Sequence, residues 1–546
     1  MKSFNWVLAL VGLSLAAPAL AAPPKPKLVV AISIDQFADS LFQQYRGGFT
    51  GGLKRLSDGV VFLGYQSHAA TETCPGHSTI LTGDHPARTG IVANTWFDRR
   101  TGSNIYCVSV PGVGDLTARG PQNLRVDTLG DWLKRAEPGA RSVAVSGKDR
   151  AAITMGGHHA DAIYWWADRD GFTTSTYAGP ATPAVLAPAK AFNTAQFAAW
   201  RKAPPKLWPA ATGVCAALQK PYRYGELELS GAVPPDASLH VENSPNFPIT
   251  AAFQEALRAS PSFDPMTLDF ATKVLDANHL GHGPATDLLA VSLSSTDFVG
   301  HRYGNGGAEQ CVQLQILDHA LGAFFDHLDS LKIPYVVVLT ADHGAPDAPE
   351  RAGPPARRID GRKVMIDLNR YLQTTLSLGY EPIVGDDPRQ LSINLASEDP
   401  AARAKVRDLA VAWLNGRPEV SHAFTAEEII AATPPKGRPV TELTLAERFH
   451  ESFDPDRSGD IQVAFVEGAT VGVPQGPGDN IGGHGSPWDY DRRVPILFWW
   501  PGVTPTAGGR AIETVDIAPT LAAVAGIPAP PVDGVCVDLG QGCPGR

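Results

Sequence analysis

After its first 21 residues the chain has no uninterrupted apolar run of ~18 residues, so no later segment reads as a membrane-spanning helix. Positive charge is not in excess: 46 Lys and Arg stand against 56 Asp and Glu, a formal net charge of −10, and no basic cluster stands out. Nucleic acid is therefore not expected as a partner. Cysteine is scarce, six residues with no C-x-x-C pair, which excludes a structural zinc ribbon or a thioredoxin-type site. Glycine-rich phosphate loops are missing too, because Gly76, Gly83 and Gly90 form neither G-x-G-x-x-G nor a Walker loop. Asp454 to Asp460 looks like half a calcium loop, but the twelfth position is Phe465 rather than Glu, so it is not an EF-hand. There is no internal repeat.

What is present fits a large globular protein. Of 546 residues, 43% are hydrophobic and 19% charged, enough for several domains or for one large α/β domain with insertions. Met1 to Ala21 has a lone Lys2, an apolar stretch from Trp6 to Ala17 and an Ala19-Leu20-Ala21 cleavage signal, the pattern of a secretory leader cut after Ala21. A periplasmic or secreted location follows, and in that compartment disulfides are expected. Cys536 and Cys543 are close enough to form a short staple, whereas the pairing of Cys74, Cys107, Cys215 and Cys311 stays open.

Several apolar, β-branched runs lack alternation, the mark of strands buried on both faces of a parallel sheet: LVVAISI before Asp35, Asp287 to Leu293, Tyr335 to Thr340 and Val494 to Trp500. Arg141 to Arg150 reads as a further short strand ending in the charged Lys148-Asp149-Arg150. Between them Val312 to Leu331 carries apolar residues at helical spacing. The fold class is α/β, a doubly wound, mostly parallel sheet with an inserted cap. The cap is expected at about 151–250, where Ala162 to Tyr177 reads as an aromatic hairpin followed by Pro-rich coil.

Polar residues gather at the ends of these runs. Asp297 and His301 at i, i+4 share one face of a helical turn, and with His484 they make a three-ligand metal set with an open position. Asp342 and His343 follow a strand and, with Asp35, make a second set of carboxylate and imidazole groups, which suits Zn²⁺. Thr73 stands where a loop becomes a helix. There it is either an ordinary N-cap or a hydroxyl at an anion-binding helix terminus. Lys148 and Arg150, at i, i+2, are expected to project to the same side of an extended strand end. His68 and His77 flank Thr73 as supporting groups.

These residues together resemble the alkaline phosphatase superfamily in its phosphodiesterase/nucleotide pyrophosphatase-like branch, most of all the phosphate-irrepressible (PafA-like) alkaline phosphatases. The resemblance rests on Asp35, T-x-T-C-P-G-H (Thr71 to His77), G-I-V-x-N (Gly90 to Asn94) and G-K-D-R (Gly147 to Arg150). It continues through S-S-T-D-F-V-G-H (Ser294 to His301), A-D-H-G (Ala341 to Gly344), G-x-H-G-S-P-W-D-Y-D (Gly482 to Asp491) and D-I-A-P-T-L (Asp516 to Leu521). After Gly304 the chain departs from the usual S-x-E-x-x-D and has Gly307-Ala-Glu309-Gln-Cys311-Val312 instead. The resemblance implies one catalytic domain over residues 22–546 and two Zn²⁺ ions, one on Asp35, Thr73, Asp342 and His343, the other on Asp297, His301 and His484. It further implies Thr73 as nucleophile, Asn94 as a phosphate-oxygen donor, and Lys148 and Arg150 as the pair that marks monoesterases. The expected partners are small-molecule phosphate esters, and the chain is expected to act as a monomer. The alternative is a phosphodiesterase or nucleotide pyrophosphatase on the same metals. A sulfatase is disfavoured because Cys74-Pro75-Gly76-His77 lacks the C-x-P-x-R signature.

Overall fold

The computed structural model describes residues 22–544 apart from 116, 169, 204, 225–226, 235–249, 395–398 and 477. The leader expected over Met1 to Ala21 lies outside the described residues.

Among the described residues the central sheet has ten strands. In chain order they are β1 (Leu28–Ile34), β2 (Val60–Tyr65), β3 (Ser142–Ser146), β4 (Ala162–Ala167), β5 (Gly171–Thr173), β6 (Asp287–Leu293) and β7 (Tyr335–Thr340). A second, four-stranded sheet follows, with β8 (Ile383–Val384), β9 (Gln390–Ile393), β10 (Val420–Thr425) and β11 (Ile461–Phe465), before the chain returns through β12 (Arg493–Trp499), β13 (Thr506–Ala507) and β14 (Ile512–Glu513). The large sheet runs β13-β2-β12-β7-β1-β6-β3-β4-β5, with β14 also on β2. Its centre, β7-β1-β6-β3-β4, is parallel; β12 runs antiparallel to both β7 and β2.

The absence of alternation in β1 has its counterpart in two separate cores. Leu28, Val30, Ile32 and Ile34 pack on one face with Leu289, Val291 and Leu339, while Val29 and Ala31 pack on the other with Leu288, Ala290, Val336 and Val338. Each of these side chains is buried. A strand whose side chains alternate between two dry layers needs apolar residues at every position.

Helices cover both faces: α1 (Thr73–Thr82), α2 (Asp149–Gly156), α3 (Pro183–Lys202), α4 (Phe263–Ala277), α5 (Ser295–Tyr303) and α6 (Ala308–Ser330). Two more, α7 (Gly361–Leu376) and α8 (Pro400–Asn415), pack on the four-stranded sheet β8-β9-β11-β10 and share its own core of Leu368, Leu372, Ala410, Leu414, Ile461 and Val463. This second lobe is not apparent in the sequence pattern.

Within the stretch 151–250, the first part, α2, β4 and β5, lies in and against the large sheet, with β4 parallel to β3 and the β4–β5 hairpin at the sheet edge. The aromatic run Tyr164-Trp165-Trp166 is buried, with Tyr164 and Trp166 in one core and Trp165 in the other. Helix α3 lays Phe197 and Trp200 against Trp166. Cys536 and Cys543 are joined as expected, and the open pairings resolve to Cys74–Cys107 and Cys215–Cys311.

Candidate metal centre and nucleophile

Four adjacent parallel strands deliver the site. Asp35 follows β1, Asp297 lies in the first turn of α5 after β6, Asp342 follows β7, and Lys148 follows β3. Strands ~4.8 Å apart bring these carboxyl ends into one crevice, the usual ligand position of an open α/β sheet.

Two ligand groups form there, each compact enough to hold a cation: Asp297, His301 and His484, and Asp35, Asp342 and His343. In the first, His301 Nε2 lies 3.2 Å and His484 Nε2 3.6 Å from Asp297 Oδ1, and the two nitrogens are 3.1 Å apart. In the second, His343 Nε2 lies 3.6 Å from Asp35 Oδ1 and 3.3 Å from Asp342 Oδ2.

The outward nitrogens settle which way these rings work. Nδ1 of His301, His343 and His484 faces the carbonyl of Gly482 (3.1 Å), Gly344 (3.0 Å) and Thr71 (2.8 Å), respectively. A carbonyl only accepts, so Nδ1 carries the proton and Nε2 faces inward, a lone-pair donor whenever the ring is neutral. Burial favours that neutral form in His343 and His484, whereas Asp297 outweighs burial at His301 and raises it. His343 Nε2 and Asp35 Oδ1 are fully buried without a hydrogen bond. Orphaned buried acceptors of this kind cost about 1–3 kcal/mol each unless something positive stands among them. The residues thus fit divalent cations.

Charge tells the same story. Burial, reinforced by Asp297 and Asp342, pushes the Asp35 carboxyl well above its usual range. Burial would do the same to Asp297, but Lys148 and His301 hold it well below. Burial, with His343 and His301 alongside, drives His484 well down and keeps it neutral, as a ligand must be.

Lys148 and Arg150 take different positions from those expected. The strand stops at Ser146, Lys148 is the extended residue before α2, and Arg150 is already helical. The reason is local, since Asp149 opens a helix in its first turn where an acid is favoured. The two side chains therefore part. Lys148 Nζ lies between the two ligand groups, 2.6 Å from Asp35 Oδ2 and 2.5 Å from Asp297 Oδ2. Arg150 reaches Thr73 instead, with Nη2 3.4 Å from Thr73 Oγ1.

Thr73 is the first residue of α1, and Glu72 is its N-cap, so the N-cap reading of Thr73 gives way to that of a hydroxyl over the helix terminus. The helix packs very close to the β7 end: a Cβ on Gly76 would lie 2.0 Å from the Asp342 carbonyl oxygen, which only glycine avoids. His77, one turn on, holds Asp342 Oδ2 at 3.0 Å and Ser292 Oγ at 2.9 Å, a support for a ligand rather than a ligand itself. Asn94 accepts the Cys74 N–H at Oδ1 (2.8 Å), which leaves its NH₂ as the group with donors to offer.

Thr73, Asn94, Arg150, His301 and His484 line one cavity of about 660 Å³. Its outer wall comes from the second lobe and the loop before His484: Arg358, Asp386 to Arg389, Val471 to Pro474, Asp479 and Asn480. Among the described residues of the stretch 151–250, none lines it. Arg389, Glu72 and the acidic rim are the site features that sequence reasoning missed.

Comparison with known proteins agrees with this geometry. Residues 29–487 match the family model for type I phosphodiesterase / nucleotide pyrophosphatase. The chain is 42% identical to alkaline phosphatase PhoK of Sphingomonas sp, over 96% of this chain and 93% of that one. It is 40% identical to alkaline phosphatase PhoD of Zymomonas mobilis, over 94% and 88%. The crystal structure of alkaline phosphatase PafA superposes with a TM-score of 0.80 at 27% identity, covering 96% of this chain and all of that one.

Proposed function

Because the chain belongs to the type I phosphodiesterase / nucleotide pyrophosphatase family and, within it, to the alkaline phosphatases, we propose that it hydrolyses phosphate monoesters through a phosphothreonine on Thr73, with two Zn²⁺ ions. The observation that carries this reading is the Arg150 guanidinium beside Thr73 Oγ1, with Asn94 in the same cavity and the two ligand groups behind. Mixed carboxylate and imidazole donors suit zinc. Asp35, Asp342 and His343, with Thr73, would hold one ion and Asp297, His301 and His484 the other. Bound there, the ions acidify a hydroxyl and neutralise charge on the leaving oxygen.

The chain's own groups do the rest. Thr73 Oγ1 bonds to phosphorus as the bond to the alcohol oxygen breaks, and the alcohol leaves with a proton. Water then cleaves the phosphothreonine, returning the Thr73 hydroxyl and releasing inorganic phosphate. Asn94 and Arg150 hold the free phosphoryl oxygens. A monoester dianion carries more charge on those oxygens than a diester, so a cationic clamp favours it. Among the described residues that line it, the cavity has no Phe, Tyr or Trp and so no aromatic platform for a nucleotide base.

Export fits the same picture. The leader with cleavage after Ala21 directs the chain to the periplasm or outside, and three disulfides match an oxidising compartment. The test is kcat/KM for an aryl phosphate monoester against the matching diester on zinc-loaded protein. A monoester preference of several orders of magnitude is expected; equal or reversed rates would make the enzyme a diesterase. Thr73→Ala retaining near-wild-type turnover would refute the covalent step.

A further inference from the structure

Arg389 directly precedes β9, and its carbonyl accepts the Val463 N–H (2.8 Å), so its backbone belongs to the second lobe. Its side chain crosses to the catalytic cavity and points three ways. Nε donates to Asp387 (2.9 Å), Nη1 to the His484 carbonyl (2.8 Å) and Nη2 to Glu72 Oε1 (2.7 Å). Glu72 Oε2 in turn accepts the Asn94 N–H (2.8 Å), and Asn94 Oδ1 accepts the Cys74 N–H (2.8 Å), next to the nucleophile. The bonds run without a break from the small sheet to the phosphate-handling groups. The loop bearing His484 is shaped around this guanidinium: Gly485 sits at φ +97°, and a Cβ there would lie 1.6 Å from Nη1.

An Asn side chain that offers its NH₂ to a phosphoryl oxygen must have the rest of its hydrogen bonding fixed. Glu72 fixes the Asn94 backbone, and Glu72 is itself a buried carboxylate that needs a cationic partner. Arg389 is that partner, and its planar fork serves Glu72 and the His484 loop at once, which a lysine cannot do.

We propose that Arg389 is a positioning residue for phosphoryl transfer: acting through Glu72, it sets the orientation of Asn94 and so couples the second lobe to the phosphate-binding groups. The inference rests on the monoesterase reading, in which Asn94 binds a phosphoryl oxygen.

The experiment measures kcat/KM for an aryl phosphate monoester, together with bound zinc and the melting midpoint, in R389Q, N94A and R389Q/N94A. The expected result is a loss of about tenfold or more in R389Q and less than about threefold for the same change on the N94A background, since a residue that acts through another has little left to lose. Bound zinc stays at the wild-type level, and R389K recovers only part of the rate. An equal loss on both backgrounds, or a loss that follows zinc content, would overturn the proposal, because Arg389 would then merely brace the His484 loop. N94A at the wild-type rate would overturn it as well. E72Q, which keeps the side-chain shape, carries the same cycle should R389Q not fold. A wild-type preference for diesters would sink the monoesterase reading alone, and the cycle could still be read with the diester.

Discussion

Replacing Arg150 by alanine separates a phosphate clamp from a structural cation. In the folded protein Arg150 Nη2 stands 3.4 Å from Thr73 Oγ1, at the cavity wall. Behind it Arg150 also meets the Tyr106 hydroxyl, but after truncation Asp149 keeps that hydroxyl (2.7 Å) and Arg119 Nε (2.8 Å) as partners. No carboxylate is orphaned, so the melting midpoint should barely move. A hydrogen bond from a charged donor to a phosphoryl oxygen contributes about 1.5–3 kcal/mol. At 1.36 kcal/mol per decade, Arg150→Ala should lower monoester kcat/KM about 10- to 150-fold. A diester has one free oxygen fewer and less charge on those that remain, so its loss should be only severalfold. The assay is kcat/KM for the aryl monoester and diester on zinc-loaded wild-type and variant protein, with the midpoint as control. An equal loss for both esters would refute the reasoning, because Arg150 would then be placing Thr73 and not reading phosphate charge.

Chelation should abolish turnover and lower the melting midpoint, with both restored by zinc, because removal of the ions leaves Asp35, Asp297 and Asp342 crowded in a dry site; an unchanged midpoint would argue against resident ions. Glu451 is pushed up to about 8 by burial and by Glu513 and Asp533. Its folded state thus holds a proton that the unfolded chain has lost, and stability falls as pH rises from about 4.5 to about 8. Glu451→Gln should therefore raise the thermal midpoint at pH 9 and leave it nearly unchanged at pH 5; equal shifts at both would show that Glu451 does not titrate this way. The Cys74–Cys107 bond closes a separation of 33 residues and ties the start of α1 to the segment beyond Asn94. Cys74→Ala/Cys107→Ala should cost about 4 kcal/mol in urea unfolding by loop entropy, and an unaltered midpoint would show that α1 holds itself.

The parts legible in the sequence are those whose geometry is set within a few residues. Asp35 and Asp342 follow apolar runs that end where they should, and Asp297 and His301 share a helical face by spacing alone. Lys148 and Arg150 were misplaced by one boundary: an extended reading puts i and i+2 on one side, whereas a helix opening at Asp149 sends one side chain between the metal groups and the other to Thr73. The second lobe left little local trace because β8 has two residues and β9 four, and β9 meets its partner β11, far along the chain, at only two positions, Gln390↔Gln462 and Leu391↔Ile461. Short strands paired over such distances show no period for a pattern to catch.

The same limit hid Arg389, whose partners Glu72 and His484 lie 317 and 95 residues away in the chain. Nothing near Arg389 in sequence distinguishes it from an ordinary arginine after a turn; only the fold shows that it bridges two lobes. This division has a consequence for function. Small displacements of a donor atom weaken binding to an ion. Five of the six side chains in the two ligand groups sit on locally determined elements, Asp35, Asp342 and His343 just past strands and Asp297 and His301 on α5, while His484 sits on a loop. The outer wall of the cavity carries no such demand and is built from the second lobe and the loop before His484. Changes in substrate preference among related chains should therefore concentrate between Asp386 and Asn480, with Arg389 as the link through which such changes reach the nucleophile.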